Sequence, residues 1–228
     1  MTSPQPRIAV LASGRGSNLQ AIVDAIAARR LDARLVGVFS DRPEAVALAR
    51  VDEALRWHAR PRDFPDRAAF DQALGDALAA VAPDWIVCAG YMRLLGARLV
   101  QRFAGRMLNI HPSLLPLYPG LHTHAAALAA GDAEHGATVH VVTAELDAGP
   151  RIAQVRIPIR PDESAEQLAA RLLPHEHRLL LAVLRLAVAG RLRERDGKVQ
   201  LDGHPLLNPL QLDCAGDDAL HDSPNGVA

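Results

Sequence analysis

Along most of the chain, short apolar runs bounded by turn residues alternate with Ala- and Leu-rich stretches of helical period, and few folds accept that alternation. A strand that is apolar throughout must be covered on both faces, and helices in the connections between parallel strands supply the cover. The predicted class is therefore α/β: a single doubly wound, mostly parallel sheet flanked by helices, Rossmann-like in outline. Strands are predicted over 7–12, 35–40, 85–89, 107–110, 137–142 and 151–157, the last two pairing as a hairpin-like return. Helices are predicted over 18–30, 43–55, 67–81, 97–103, 123–130 and 164–189. Pro174 lies inside the last of these; it lacks a backbone donor, which predicts a kink or division near Leu173. From Asn208 onward Asp, Gly and Pro replace any apolar period, so the expected organisation is one domain over 1–207 and a frayed, flexible acidic tail over 208–228.

Composition narrows the function classes. Hydrophobic residues are 49% and aromatics only 4%, so the interior is expected to be aliphatic. Lys plus Arg is 25 against 26 Asp plus Glu, with no basic stripe carrying interleaved aromatics, which argues against a nucleic-acid partner. Cys88 falls inside an apolar run and reads as a small buried hydrophobe rather than a disulfide partner of Cys214. No apolar segment precedes the first strand, and no uninterrupted apolar run approaches the roughly 20 residues of a membrane helix, so a cytoplasmic protein without a leader or a membrane span is expected.

Two clusters carry chemistry. Between the first strand and the first helix lies Ser13-Gly14-Arg15-Gly16-Ser17-Asn18. Its glycines let a ligand approach the backbone, and the N–H groups and dipole of the helix start favour a phosphate. It is not a P-loop, having no Lys-Ser/Thr pair, and Leu19 stands where a dinucleotide fingerprint needs its third glycine. Simple helix capping by Ser17 or Asn18 stays open as the alternative, and Asp41, after the second strand, keeps a nicotinamide reading open as well.

The second cluster, Asn109-Ile110-His111-Pro112-Ser113-Leu114-Leu115-Pro116, runs off the carboxyl end of a buried strand, the edge at which open α/β sheets bind ligands. Alternate strand residues share a face, so Asn109 and His111 point the same way, and Pro112 biases His111 to an extended backbone. A carboxylate, Asp147, follows a later strand in the turn-rich loop Glu145-Leu146-Asp147-Ala148-Gly149-Pro150. If the two strands are neighbours, Asp147 meets His111, raises its pKa and favours the imidazolium. Strand-end and turn roles without chemistry are the alternatives for these residues. His122, His124 and His140 also admit a metal hypothesis, though no HExxH motif is present, and His175 and His177 on the last helix face apart.

Taken with AGYMRLL at 89–95 and YPGLHTH at 118–124, these motifs resemble the glycinamide ribonucleotide transformylases, a family of folate-dependent formyltransferases of purine synthesis, and the resemblance runs over about 7–203. It implies 10-formyltetrahydrofolate as co-substrate without a metal, a phosphoribosylglycinamide acceptor, and a monomer or homodimer acting on small molecules. It implies that Gly16, Ser17 and Asn18 hold the ribonucleotide phosphate, with Glu176 near its glycinamide end. Arg67, Tyr91, Met92, Arg93, Leu94, Leu95, Asn109, Thr143, Ala144, Glu145, Leu146 and Asp147 would form the folate site. Asn109, His111 and Asp147 would be catalytic, with His122, His124, Thr138 and His140 in support. Two departures are the Pro174-His175-Glu176 sequence, where relatives often carry a polar residue two before the glutamate, and the extension after Asn208. A related methionyl-tRNA formyltransferase would call for a nucleic-acid-binding domain, and a formyltetrahydrofolate deformylase for a regulatory domain before the first strand. Outside the enzyme class, the rival is a non-catalytic nucleotide-binding module.

Overall fold

The first apolar run forms β1 (Arg7–Leu11), buried from Ile8 onward, and the glycine loop that ends it turns the chain into α1 (Ser17–Ala27), which buries Leu19, Ile22 and Ala25 along one face. In this computed structural model, which describes residues 4–214, 216 and 218–222, the chain divides into two compact units, one ending at Asn109 and the other beginning at Ile110.

The first unit is parallel throughout. β1 lies between β2 (Arg34–Ser40) and, on its other side, a strand that begins at Trp85. β2 continues to the short β3 (Arg56–His58), and after α2 (Arg67–Ala80) comes β4 (Trp85–Cys88), the partner of β1. α3 (Ala97–Arg102) then leads to β5 (Met107–His111), which pairs with β4 through Ile86↔Met107, Val87↔Leu108 and Cys88↔Asn109. Asp66 caps α2 by accepting from the Ala69 N–H at 2.8 Å. The helix expected over 43–55 is instead two 3₁₀ turns, Val46–Arg50 and Glu53–Leu55. The physical reason is a competing acceptor: the Ala47 N–H, which an α-helix would send four residues back, donates to the Gly14 carbonyl at 3.0 Å. β3 was not predicted; its three residues are too few for a periodic signal.

The second unit opens with the last two residues of β5 and continues through α4 (Thr123–Ala130) to β6 (Glu134–Val141) and β7 (Arg151–Pro158), an antiparallel pair in agreement with the predicted return. α5 (Ala165–Val188) packs on β6 and β7 and against α4, and opens with a capping box between Ser164 and Gln167. The division expected near Leu173 does not occur, and α5 runs unbroken past Pro174. Leu168 and Leu172 before the proline and Leu179, Leu180, Val183 and Leu184 after it are buried, and that packing outweighs one missing N–H bond.

Three antiparallel strands, β8 (Leu192–Arg195), β9 (Lys198–Leu201) and β10 (His204–Pro205), form a small separate sheet. The expectation of a frayed segment from Asn208 is corrected over the described residues. β11 (Leu210–Leu212) adds to β7 in parallel with Leu210 and Leu212 buried, and β12 (Leu220–His221) pairs with β11. Arg178 of α5 clamps the chain between them, donating to the carbonyls of Asp213 (3.1 Å), Cys214 (2.9 Å) and Gly216 (2.9 Å) and to the Asp218 carboxylate (2.9 Å). Two leucines spaced for one strand face were too short a pattern to read against an Asp- and Gly-rich background. Residues 215, 217 and 223–228 of that expectation lie outside the described residues. The α/β class and the mostly parallel sheet flanked by helices hold as predicted.

Candidate active site

The glycine loop of the first unit is built around Gly16, which precedes α1 with a left-handed backbone (φ 70°). A Cβ at this position would stand 2.7 Å from that of Ala47, so glycine is needed for the close packing as well as for the dihedral. The residue at the N-cap of α1 is Gly16, which has no side chain to cap with, so neither Ser17 nor Asn18 occupies the N-cap position. The N–H groups of the first turn, which a helix cannot satisfy internally, point out of its start beside half-buried Ser17 and buried Asn18. Arg50 braces the loop by donating to the Arg15 carbonyl at 2.7 Å.

After β4 the chain from Gly90 to Leu95 has no regular structure, and side chains of the same unit hold its backbone. Met92 N–H donates to Ser13 Oγ (2.9 Å), Arg67 donates to the Leu94 carbonyl (2.6 Å), and Gly96 N–H donates to Asp71 (2.9 Å). The Met92 and Leu94 side chains remain exposed, at 57% and 48%. Arg93 lies 5.3 Å over the Phe70 ring, and burial pushes the Tyr91 hydroxyl pKa up, with Asp41 nearby adding to the effect.

In the second unit His111, at the end of β5, is 5% exposed. Its Nε2 lies 2.9 Å from the Tyr118 carbonyl and its Nδ1 lies 3.5 Å from Asp147 Oδ2. On the other side of the same carboxylate, His140 Nε2 lies 3.6 Å from Asp147 Oδ1, and His140 Nδ1 lies 3.0 Å from the Val141 carbonyl. A carbonyl can only accept, so in each ring the nitrogen facing the backbone carries the hydrogen. On His111 this leaves Nδ1, the nitrogen that faces Asp147, without a hydrogen while the ring is neutral. Gly120 N–H donates to Asp147 Oδ2 at 2.8 Å. Burial works to raise the Asp147 pKa, but His140, the Gly120 N–H and His111 together hold it below the usual carboxylate value. For His111 burial is the largest influence and lowers its pKa; the Tyr118 carbonyl and Asp147 oppose this without reversing it. The expectation that Asp147 makes the resting imidazole cationic is thus corrected: depth of burial outweighs the carboxylate.

Asp147 can reach this position because of its own loop. Its φ is 51°, and a Cβ on Gly149 would collide with the Val141 carbonyl, so the turn closes over the end of β6 only with glycine there. Thr143 Oγ donates to the Glu145 carbonyl at 3.2 Å, and Leu146 is 55% exposed. Thr138, fully buried, holds the segment after His111 at two points, donating to the Ser113 carbonyl (2.7 Å) and accepting from Leu115 N–H (3.1 Å). Gln154, which sequence reasoning missed, donates to both Thr138 Oγ (3.0 Å) and the Leu115 carbonyl (2.9 Å). Its signal was present as a polar residue within the buried stretch 152–155 of β7, among Ile152, Ala153 and Val155.

His122 occupies the position before α4 with φ 60°, and His124 turns to His135, the two rings 4.9 Å apart and edge to face. Both imidazoles have lowered pKa values, chiefly from burial, and that of His135 falls to about 4. Among the described residues no group of three or more His, Cys, Asp or Glu side chains is arranged to hold a metal ion. Glu176 sits in the buried stripe of α5 among Leu172, Leu179 and Leu180, a position an ordinary core would fill with an aliphatic residue.

The formyl transferase family model matches residues 6–184 of the chain. The chain is 43% identical to the phosphoribosylglycinamide formyltransferase of Haemophilus influenzae over 202 residues, 88% of this chain and 95% of that protein. It is 44% identical to the protein of the same name from Escherichia coli over 201 residues, 87% of this chain and 95% of that one. Among solved structures, the phosphoribosylglycinamide formyltransferase of Coxiella burnetii in complex with CHES is similar with a TM-score of 0.83 and 44% identity, covering 89% of this chain and 96% of that one.

Proposed function

The chain belongs to the formyl transferase family, and we propose that it transfers the formyl group of 10-formyltetrahydrofolate to the amine of 5'-phosphoribosylglycinamide. The products are the formylglycinamide ribonucleotide and tetrahydrofolate, a step of de novo purine synthesis, carried out in the cytoplasm. The observation that carries the chemical reading is the Asp147 carboxylate set between His111 Nδ1 and His140 Nε2.

The acceptor amine attacks the formyl carbon, and a tetrahedral intermediate with an oxyanion forms. The N–H donor of the Asn109 amide meets that charge, and the His111 ring adds a second donor once its Nδ1 has been protonated; losing one such donor costs on the order of 100- to 1000-fold in rate. The amine must shed a proton as the C–N bond forms. His111 Nδ1, neutral in the resting site and facing Asp147, accepts it, and the imidazolium so formed is stabilised by the carboxylate. The same proton then passes to the leaving folate nitrogen as the intermediate collapses, which leaves His111 neutral again. Gly16, Ser17 and Asn18 hold the acceptor's phosphate through the helix-start N–H groups, and Glu176 contacts its glycinamide end. Arg67, the 91–95 segment, Asn109 and the 143–147 loop take the folate; Thr138, His140, His122 and His124 support the segments that carry the reacting groups.

The test is tetrahydrofolate release, followed by absorbance, with and without the ribonucleotide. Release that depends on the ribonucleotide is expected. Equal release in its absence would mean hydrolysis of formyl folate and would overturn the transferase reading.

A further inference from the structure

Asp41 stands just beyond β2, where nucleotide-binding sheets place an acid for a ribose hydroxyl. Here it is 6% exposed and its Oδ1 accepts the hydroxyl of Ser13 at 2.5 Å. Ser13, 1% exposed, opens the glycine loop, and it bonds the chain after β4 at two points. Its N–H donates to the Gly90 carbonyl at 3.0 Å, and its Oγ accepts the Met92 N–H at 2.9 Å. A serine hydroxyl has one proton; with that proton committed to Asp41, its remaining capacity is to accept, and Met92 N–H takes it. Asp41 therefore fixes the direction of the Ser13 hydroxyl, and the hydroxyl fixes the backbone of the segment from which the Met92 and Leu94 side chains stand exposed.

We propose that Ser13 and Asp41 are positioning residues for formyl folate, tying the 90–92 backbone to the first residue of the phosphate loop so that the 91–95 segment is set before the folate arrives. The inference rests on the folate role given above to 91–95. Neither side chain touches a reacting atom in this account; their effect is to remove an ordering cost from folate binding.

The experiment is two-substrate steady-state kinetics on wild type, Ser13→Ala, Asp41→Ala and Asp41→Asn, with melting temperatures. Ser13→Ala removes the acceptor of the part-buried Met92 N–H and is expected to raise the KM for formyl folate about tenfold, with kcat and the KM for the ribonucleotide each changed less than about threefold. Asp41→Ala is expected to do the same, whereas Asp41→Asn, whose amide oxygen still accepts the Ser13 hydroxyl, keeps a folate KM near that of wild type. If Ser13→Ala does not fold, the Asp41 pair decides by the same comparison. Wild type that releases tetrahydrofolate only with the ribonucleotide, combined with an unchanged folate KM in Ser13→Ala and Asp41→Ala, overturns the inference while leaving the transferase reading intact. Both KM values and kcat shifting in proportion to a melting loss would also overturn it, since that is the signature of a purely structural bond. Wild type without transfer would instead sink the reading on which the inference rests.

Discussion

Replacing Asp147 by Asn removes the charge that draws a proton onto His111. Asp147 opposes the lowering of the His111 pKa by burial, so without it the imidazole titrates at a still lower pH. A pH–rate profile of Asp147→Asn is expected to show a plateau lower by about 100-fold or more and an acid limb displaced to lower pH. An acid limb that stays in place would mean that another group, such as the acceptor amine, sets it, and that His111 does not take the proton. Much of this site was legible residue by residue: Pro112 announced an extended His111 at a strand end, and a turn aspartate after the next strand announced Asp147. The partners that complete it were not legible, because the Tyr118 carbonyl and the Gly120 N–H are backbone groups with no residue signature. Burial depth was equally hidden, which is why the sign of the His111 shift differs from the one expected from its neighbour alone.

At the scale of elements, α4 and β6 are joined by His124 and His135, and both rings stay neutral in the fold. A histidine whose folded pKa lies below its unfolded value of 6.5 contributes its full stability above that pH and loses it as pH falls toward the folded pKa, which for His135 is about 4. Urea unfolding is therefore expected to show stability flat above about pH 7 and falling by roughly 3 kcal/mol between there and pH 4, with His135→Gln flattening the slope. An unchanged slope in that variant would remove His135 from the account. The C-terminal strands make a second prediction. Asp218 joins Arg178 and Arg185 of α5, so Asp218→Ala is expected to lower the melting temperature by about 2–6 °C with turnover unchanged; equal melting would show that the clamp adds nothing. The Ala- and Leu-rich helices α2, α4 and α5 were readable in the sequence nearly to their ends. The elements that were not, β3, β8 to β12 and the 3₁₀ turns at Val46–Arg50 and Glu53–Leu55, are short, and some owe their form to partners far along the chain: Leu210 to Ala153, Ala47 to Gly14.

For the whole molecule, the α/β class was readable from alternation alone, whereas the assignment of a reaction drew on motifs spread from Ser13 to Pro150 rather than on any one of them. A non-catalytic nucleotide-binding module and a transferase differ in what stabilises the folded chain. Phosphoribosylglycinamide and a folate analogue at about 100 times their dissociation constants are each expected to raise the melting temperature by several degrees, in line with roughly 2.7 kcal/mol of linkage, and NAD to leave it unchanged. The reverse pattern would favour the binding module. The most direct measurement is single-turnover formyl transfer with both substrates saturating, comparing wild type with His111→Ala. Transfer is expected in the wild type, with a loss of about 100- to 1000-fold in the variant, whose melting temperature and affinity for the ribonucleotide stay close to those of wild type. Turnover in His111→Ala equal to wild type would contradict it.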